Sequence, residues 1–168
     1  LGNGNSIKEN IYYINKFIGI KKPIVICINA EKHIDENKVD YRLACNPLRM
    51  NSDLEKYKKF KTKLIIPHNI IEEKEFKKNR VHYYNLRIRN SFNYQQNFCS
   101  LPFPLVLLYS IAVLNTCGAK EAFYAGFDGN NEELHQTETI NNIINNYNKT
   151  KSKTELFTLT KTKYQFTS

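Results

Sequence analysis

The sequence contains no C-x-x-C pair. Cys27, Cys45, Cys99 and Cys117 stand singly, with no histidine at ligand spacing, so no metal site is expected. No stretch fits G-x-x-x-x-G-K-[ST], which excludes a P-loop. Neither H-E-x-x-H nor a defensible Ser-His-Asp spacing exists around His33, His68, His82 and His135. The longest apolar run, Leu101 to Leu114, falls short of the roughly 20 residues that cross a bilayer and holds two prolines, so no membrane span is expected. An initial methionine and a visible secretory signal are also lacking. The expectation is a fragment of a longer, cytoplasmic protein. Its Cys27 and Cys45 (in apolar strand-like runs) and Cys117 (in an apolar helix) would be buried and reduced.

What is present describes a folding chain. At 168 residues it fits a single domain spanning 1–168, and 41% hydrophobic with 12% aromatic residues argues against disorder. The formal net charge of +9 comes with an excess of Asn and Ile, as an AT-rich coding sequence gives. The charge is therefore read as a solvated basic surface or a local phosphate site, and nucleic-acid or membrane binding is disfavoured.

Ile7, Ile11, Ile14, Phe17 and Ile18 share one helical face, and Ser6 with Glu9 forms a capping-box pattern, which predicts a helix from Ser6 to near Gly19. Strands are expected at Ile24–Ile28, Tyr41–Cys45, Lys63–Pro67, Val81–Ile88, Ala122–Phe127 and Leu156–Thr160. Helices are expected at Ser52–Phe60, within 70–79, from Pro104 to Cys117 closed by Gly118, and around Ile140, Ile143, Ile144 and Tyr147, with Asn130 and Glu133 as a cap. Arg89 to Ser100 reads as a polar loop. This alternation predicts an α/β fold: a Rossmann-like, mainly parallel sheet with helices on both faces, in three layers.

In such sheets ligands sit beyond the carboxyl ends of the strands, where strand order reverses. The polar residues expected there are Gly2, Asn3, Gly4, Asn5 and Ser6 ahead of the first helix, then Asn29, Asn46, His68 and the pair Asp128-Gly129. Two glycines at a helix N-terminus offer close backbone approach, free amides and a favourable dipole for an anion. Ile7 stands where the third glycine of the dinucleotide fingerprint belongs, and Asn29 where its acidic residue belongs, so NAD is disfavoured. Asn29 and Asn46 suit a base edge or a sugar hydroxyl, or else are turn residues. Asp128 suits a ribose, a sugar hydroxyl or a metal, or else is a turn or helix-capping residue, and His68 is the best-placed general base.

Leu-Gly-Asn-Gly-Asn-Ser at positions 1 to 6 resembles the Gly-Asn-Gly-Pro-Ser loop of bacterial lipooligosaccharide sialyltransferases, and Val113 to Asp128 is similar to their later helix and strand. That resemblance implies CMP or a CMP-sugar as ligand, held by the first loop, with Asn29 near the nucleotide. Leu101-Pro102-Phe103-Pro104 departs from that family's Thr-Ser-Gly, and there is no room for its lid and lid histidine. Ala125 to Gly129, Glu138 and Leu159 to Tyr164 look like the C-terminal Rossmann-like domain of bacterial aldolase-type proteins, HMG-CoA-lyase-like or 4-hydroxy-2-oxovalerate aldolases. That likeness implies a preceding aldolase-type domain in the same protein, and the lyase's own catalytic residues are not in this chain.

The leading expectation is a nucleotide- or nucleotide-sugar-binding accessory domain of an aldolase-like enzyme in bacterial surface-polysaccharide biosynthesis. One alternative is a minimal sialyltransferase-like glycosyltransferase with His68 or His135 as base. Another is a structural or oligomerising module whose glycine loop is a plain turn.

Overall fold

The structure, a computed structural model, describes residues 1–68, 70, 76, 80–129, 134–150 and 153–166. In chain order its elements are α1 (Ser6–Lys21), β1 (Ile26–Ile28), β2 (Tyr41–Leu43), α2 (Pro47–Ser52), α3 (Leu54–Lys59), β3 (Lys63–Ile66), β4 (Val81–Tyr83), β5 (Asn85–Ile88), β6 (Asn93–Tyr94), β7 (Phe98–Leu101), α4 (Val106–Thr116), β8 (Glu121–Tyr124), α5 (Leu134–Asn148) and β9 (Glu155–Thr158), with a 3-10 turn at Glu36–Lys38. The fold is α/β and its strand pairing is mainly parallel. The chain divides into two compact units, one made of residues 1–22 with 114–168 and the other of residues 23–113.

In the 23–113 unit, β1, β2, β3 and β4 form a parallel sheet in that order, with Ile28 opposite Leu43 and Leu43 opposite Ile65. Parallel neighbours need long connections, and the segments between these strands are of that length. α2 and α3 lie between β2 and β3, where Met50 and Tyr57 are buried in one cluster with Ala44, Leu64 and Ile66. Strand order does not reverse among β1–β4, so the crevice expected at a reversal has no counterpart within this sheet.

The strand expected at Val81–Ile88 is two strands. β4 joins β3, whereas β5 joins β7 in a second sheet ordered β5-β7-β6. Tyr84, at the switch, is buried; its hydroxyl donates toward the carbonyls of Gln95 and Phe98, and its own carbonyl accepts from the Tyr109 hydroxyl. The polar segment Arg89–Ser100 contains β6 and most of β7. Its few apolar residues show no clean alternation, yet the β7 backbone bonds to strands on both sides. The helix expected at Ser52–Phe60 is α3, which starts after Asp53, and α2 ahead of it is a helix the sequence pattern did not predict. Most of the expected 70–79 helix, and the Asn130–Glu133 cap, lie outside the described residues.

In the other unit β8 and β9 pair in parallel, Tyr124 opposite Thr158. Ile7 and Ile14 on α1, Ile140, Ile144 and Tyr147 on α5, and Ala122, Tyr124 and Leu156 on the strands are buried, each large side chain contributing about 1.5–3 kcal/mol. α1 runs two residues past Gly19, because Lys22 adopts the left-handed conformation (φ 47°) and gives its N–H to the Ile18 carbonyl at 2.9 Å. Gly118 closes α4 as expected, with φ 72° and the Ala119 N–H on Leu114 O at 3.0 Å.

All four cysteines are free. Cys27 and Cys45 are buried as expected and Cys99 is buried as well, but Cys117, expected to be buried, is exposed, because it lies just past the last turn of α4. Burial pushes the Cys27 and Cys45 thiols up and Cys99 to about 12. A thiol reagent should therefore label one cysteine per native chain, and Cys117→Ser should abolish that fast phase. Fast labelling of a second thiol would contradict the packing of β1, β2 and β7.

Candidate ligand-binding site

The glycine loop docks beside the carboxyl ends of the parallel pair β8–β9. Gly2 N–H bonds Ala125 O at 2.7 Å and Gly4 N–H bonds Gly126 O at 2.8 Å, which ties the loop to the segment following β8. Glycine is required by this closeness: a Cβ on Gly2 would lie 2.2 Å from Gly126 O, and one on Gly4 2.4 Å from the Asp128 carboxyl. Gly126 has φ 74°, and a Cβ there would lie 2.5 Å from the Ile7 side chain.

Asp128 is the hub. Its Oδ2 accepts the Ser6 N–H at 3.0 Å and its Oδ1 accepts the Ser6 hydroxyl proton. The Ser6 and Thr160 hydroxyls lie 3.0 Å apart, and Thr160 Oγ1 also accepts the Gly126 N–H at 3.0 Å. Ser6 and Thr160 are buried and Asp128 is half-buried. Asp128 thus places a carboxylate at the positive end of α1, where the sequence predicted a capping box. That box does not form. Asn5 precedes the helix in a helical conformation without a side-chain cap bond, and the Ser6 hydroxyl is turned to Asp128 and Thr160. Asn3 and Asn5 are exposed, and Gly129 follows Asp128 with φ 84°.

A cleft of about 550 Å³ adjoins this network, lined by Ser6, Glu9, Asn10, Thr158, Thr160 and Lys161 among others. That volume is in the range of small-ligand sites. Its lining offers hydroxyls, one carboxylate, one ammonium and an amide whose Nδ2 donates to Ser6 O at 2.9 Å. A phosphate would meet Asp128 and Glu9, so the charge favours hydroxyl groups over anions at the α1 end.

No protein family, curated protein sequence or solved structure matches this chain.

The other expected residues lie in the 23–113 unit, at the carboxyl ends of β1, β2 and β3. Asn29 is buried, in the left-handed region at φ 51°, gives its N–H to Leu43 O at 2.8 Å, and its Nδ2 has no partner among the described residues. Asn46 caps α2, its side chain accepting from Arg49 N at 3.2 Å ahead of Pro47. His68 is exposed, with its N–H on Asn85 Oδ1 at 3.2 Å and its ring 4.7 Å from that of Tyr83. His135 is fully exposed on α5, 3.9 Å from Glu138. Neither histidine lines the cleft. Among the described residues no group of three or more His, Cys, Asp or Glu side chains is placed to hold a metal ion.

Sequence reasoning missed two features. Thr160, taken only as a strand end, is the hydroxyl that joins Ser6 to Gly126. The second is a buried guanidinium: Arg42, in the middle of β2 and 1% exposed, reaches the carbonyls of Asn29 (3.4 Å) and Glu31 (2.7 Å) and pairs with Glu36. Its face stacks 3.6 Å above the Phe60 ring. Burial raises the Glu36 carboxyl, but hydrogen bonds from Arg42 and Thr62 outweigh it and hold the group below the ordinary value. A charged residue inside an otherwise apolar strand was the only available signal. Glu31, equally buried, spends Oε1 on the Lys32 and His33 amides, and its Oε2 has no partner among the described residues.

Proposed function

We propose that the chain is a nucleotide- or nucleotide-sugar-binding domain whose ligand lies in the cleft beside Ser6 and Thr160. One observation carries the reading. Residues 2–6 and Asp128-Gly129, far apart in sequence, meet at the carboxyl ends of β8 and β9 next to a cleft of ligand size. The lining favours sugar or ribose hydroxyls, with Glu9 and Asn10 as acceptors and Lys161 as the cation available to a phosphate at the outer rim. A CMP-sugar, as the resemblance to sialyltransferases implies, fits this division better than a bare phosphate.

Binding is favoured over transfer chemistry. The Asp128 carboxylate is consumed by Ser6, and none of the residues lining the cleft is a histidine. An accessory role beside an aldolase-type catalytic domain accords with that.

Calorimetry of the chain against CMP, UDP, GDP, ADP and a CMP-sugar tests the proposal. Saturable heat with the CMP-sugar, weakened about tenfold by Glu9→Gln or Lys161→Ala, is expected, since a hydrogen bond to a charged group contributes about 1.5–3 kcal/mol. Silence with all five would end the reading. Substitution at Gly4 is the poorer test, because any side chain there collides with Asp128 and distorts the loop itself.

A further inference from the structure

The outer face of α1 is not that of an ordinary solvated helix. Its inner face is fixed by Ile7, Ile14 and Phe17, whose ring lies 5.0 Å from that of Phe123. On the opposite side Tyr12 is 70% exposed, Tyr13 68% and Ile20 67%. Lys8, Tyr12, Lys16 and Ile20 follow one another at four-residue spacing, so they form one stripe, with Tyr13 alongside. Lys8 and Lys16 are exposed, and Lys21 and Lys22 add two more exposed cations at the C-terminal end; Glu9 is the single acidic residue of the helix.

We propose that this face docks on an anionic lipid surface, with α1 lying in the plane of the interface. The combination decides the occupant. Lysines alone would suit any polyanion, but an aliphatic side chain held two-thirds exposed gains nothing from a phosphate backbone. Buried in the headgroup boundary, Ile20 leaves water, the two tyrosines sit at the depth where amphipathic rings are favoured, and the lysines reach lipid phosphates. A second copy of the chain is the poorer partner, because a two-fold contact would set these lysines against their own images. No helix among the described residues is long and apolar enough to cross a bilayer, so the contact is peripheral.

The test is co-sedimentation of the whole chain with vesicles of phosphatidylcholine alone or with about 30 mol% phosphatidylglycerol. Binding to the anionic vesicles only is expected. Lys8→Glu/Lys16→Glu should weaken it by at least tenfold, since each lysine near such a surface contributes about fivefold. Tyr12→Ser/Ile20→Ser should weaken it comparably with net charge unchanged, and both pairs, being exposed, should leave the melting temperature within a few degrees of the parent. Three outcomes would overturn the proposal: no binding to anionic vesicles; an equal loss from the charge-matched control Lys38→Glu/Lys63→Glu; or a dimer in light scattering that Tyr12→Ser/Ile20→Ser converts to a monomer.

Discussion

Replacing Arg42 by Met should cost the 23–113 unit about 3–5 kcal/mol, close to its whole stability, because it removes one partner of a largely buried ion pair. The substitution leaves Glu36 facing Thr62 without its guanidinium and leaves the carbonyls of Asn29 and Glu31 without their donor. It also takes a cation from the face of Phe60. Glu36 keeps about a third of its surface in water, which favours the lower end of that range. The double change Arg42→Met/Glu36→Gln should recover part of the loss, since neither charge is then stranded. Acid should reproduce the effect. The Glu36 carboxyl is held below its ordinary value, so its contribution is complete above that value, near pH 4.5, and is lost as the pH falls through the lowered one. Urea melts at pH 7 and across the acid range measure both. A loss under 1 kcal/mol for Arg42→Met at neutral pH would show that the buried network does not hold the β1–β2 loops.

Asp128→Ala is expected to cost about 2–4 kcal/mol in the other unit. Part is the α1 cap, about 1 kcal/mol for a lost side-chain acceptor at a helix N-terminus. The larger part is the buried hydroxyl pair: without the carboxylate, the Ser6 proton has no charged acceptor and the Ser6–Thr160 contact loses its polarity. Asp128→Asn should be milder, because the amide oxygen still accepts one Ser6 donor while the hydroxyl turns to accept from the amide nitrogen. Thermal melts of the two variants rank them. Equal stability of Asp128→Ala and the parent would mean that the glycine loop is held by its backbone bonds to Ala125 and Gly126 alone.

The parts of this fold that were legible in the sequence are those written in hydrophobic period. α1, α4, α5 and the apolar cores of β1, β3 and β8 follow from runs of Ile, Val, Leu and Ala at helix or strand spacing. β6 and β7 were not legible, since Asn93, Tyr94 and Phe98 lie in a polar segment and are ordered by backbone pairing with strands whose positions only the tertiary fold supplies. The division of 81–88 at Tyr84 depends likewise on two carbonyls brought in from the β6–β7 region. At the site, the sequence placed Gly2, Gly4, Ser6 and Asp128 in one list because each is polar or glycine at a strand end. It could not tell that Asp128 answers Ser6, because that bond joins residues 122 positions apart. The capping box failed for the same reason: a local pattern lost to a carboxylate arriving from a distant loop.

The most direct measurement is a titration of the ¹⁵N-labelled chain with a CMP-sugar, followed by backbone amide shifts. The expected result is saturable movement centred on Ser6, Glu9, Asn10, Thr158, Thr160 and Lys161, with Asn46 and His68 unmoved. No saturable shift, or shifts confined to the loop around Asn29 and Glu31, would contradict the assignment of the ligand to the cleft beside Asp128.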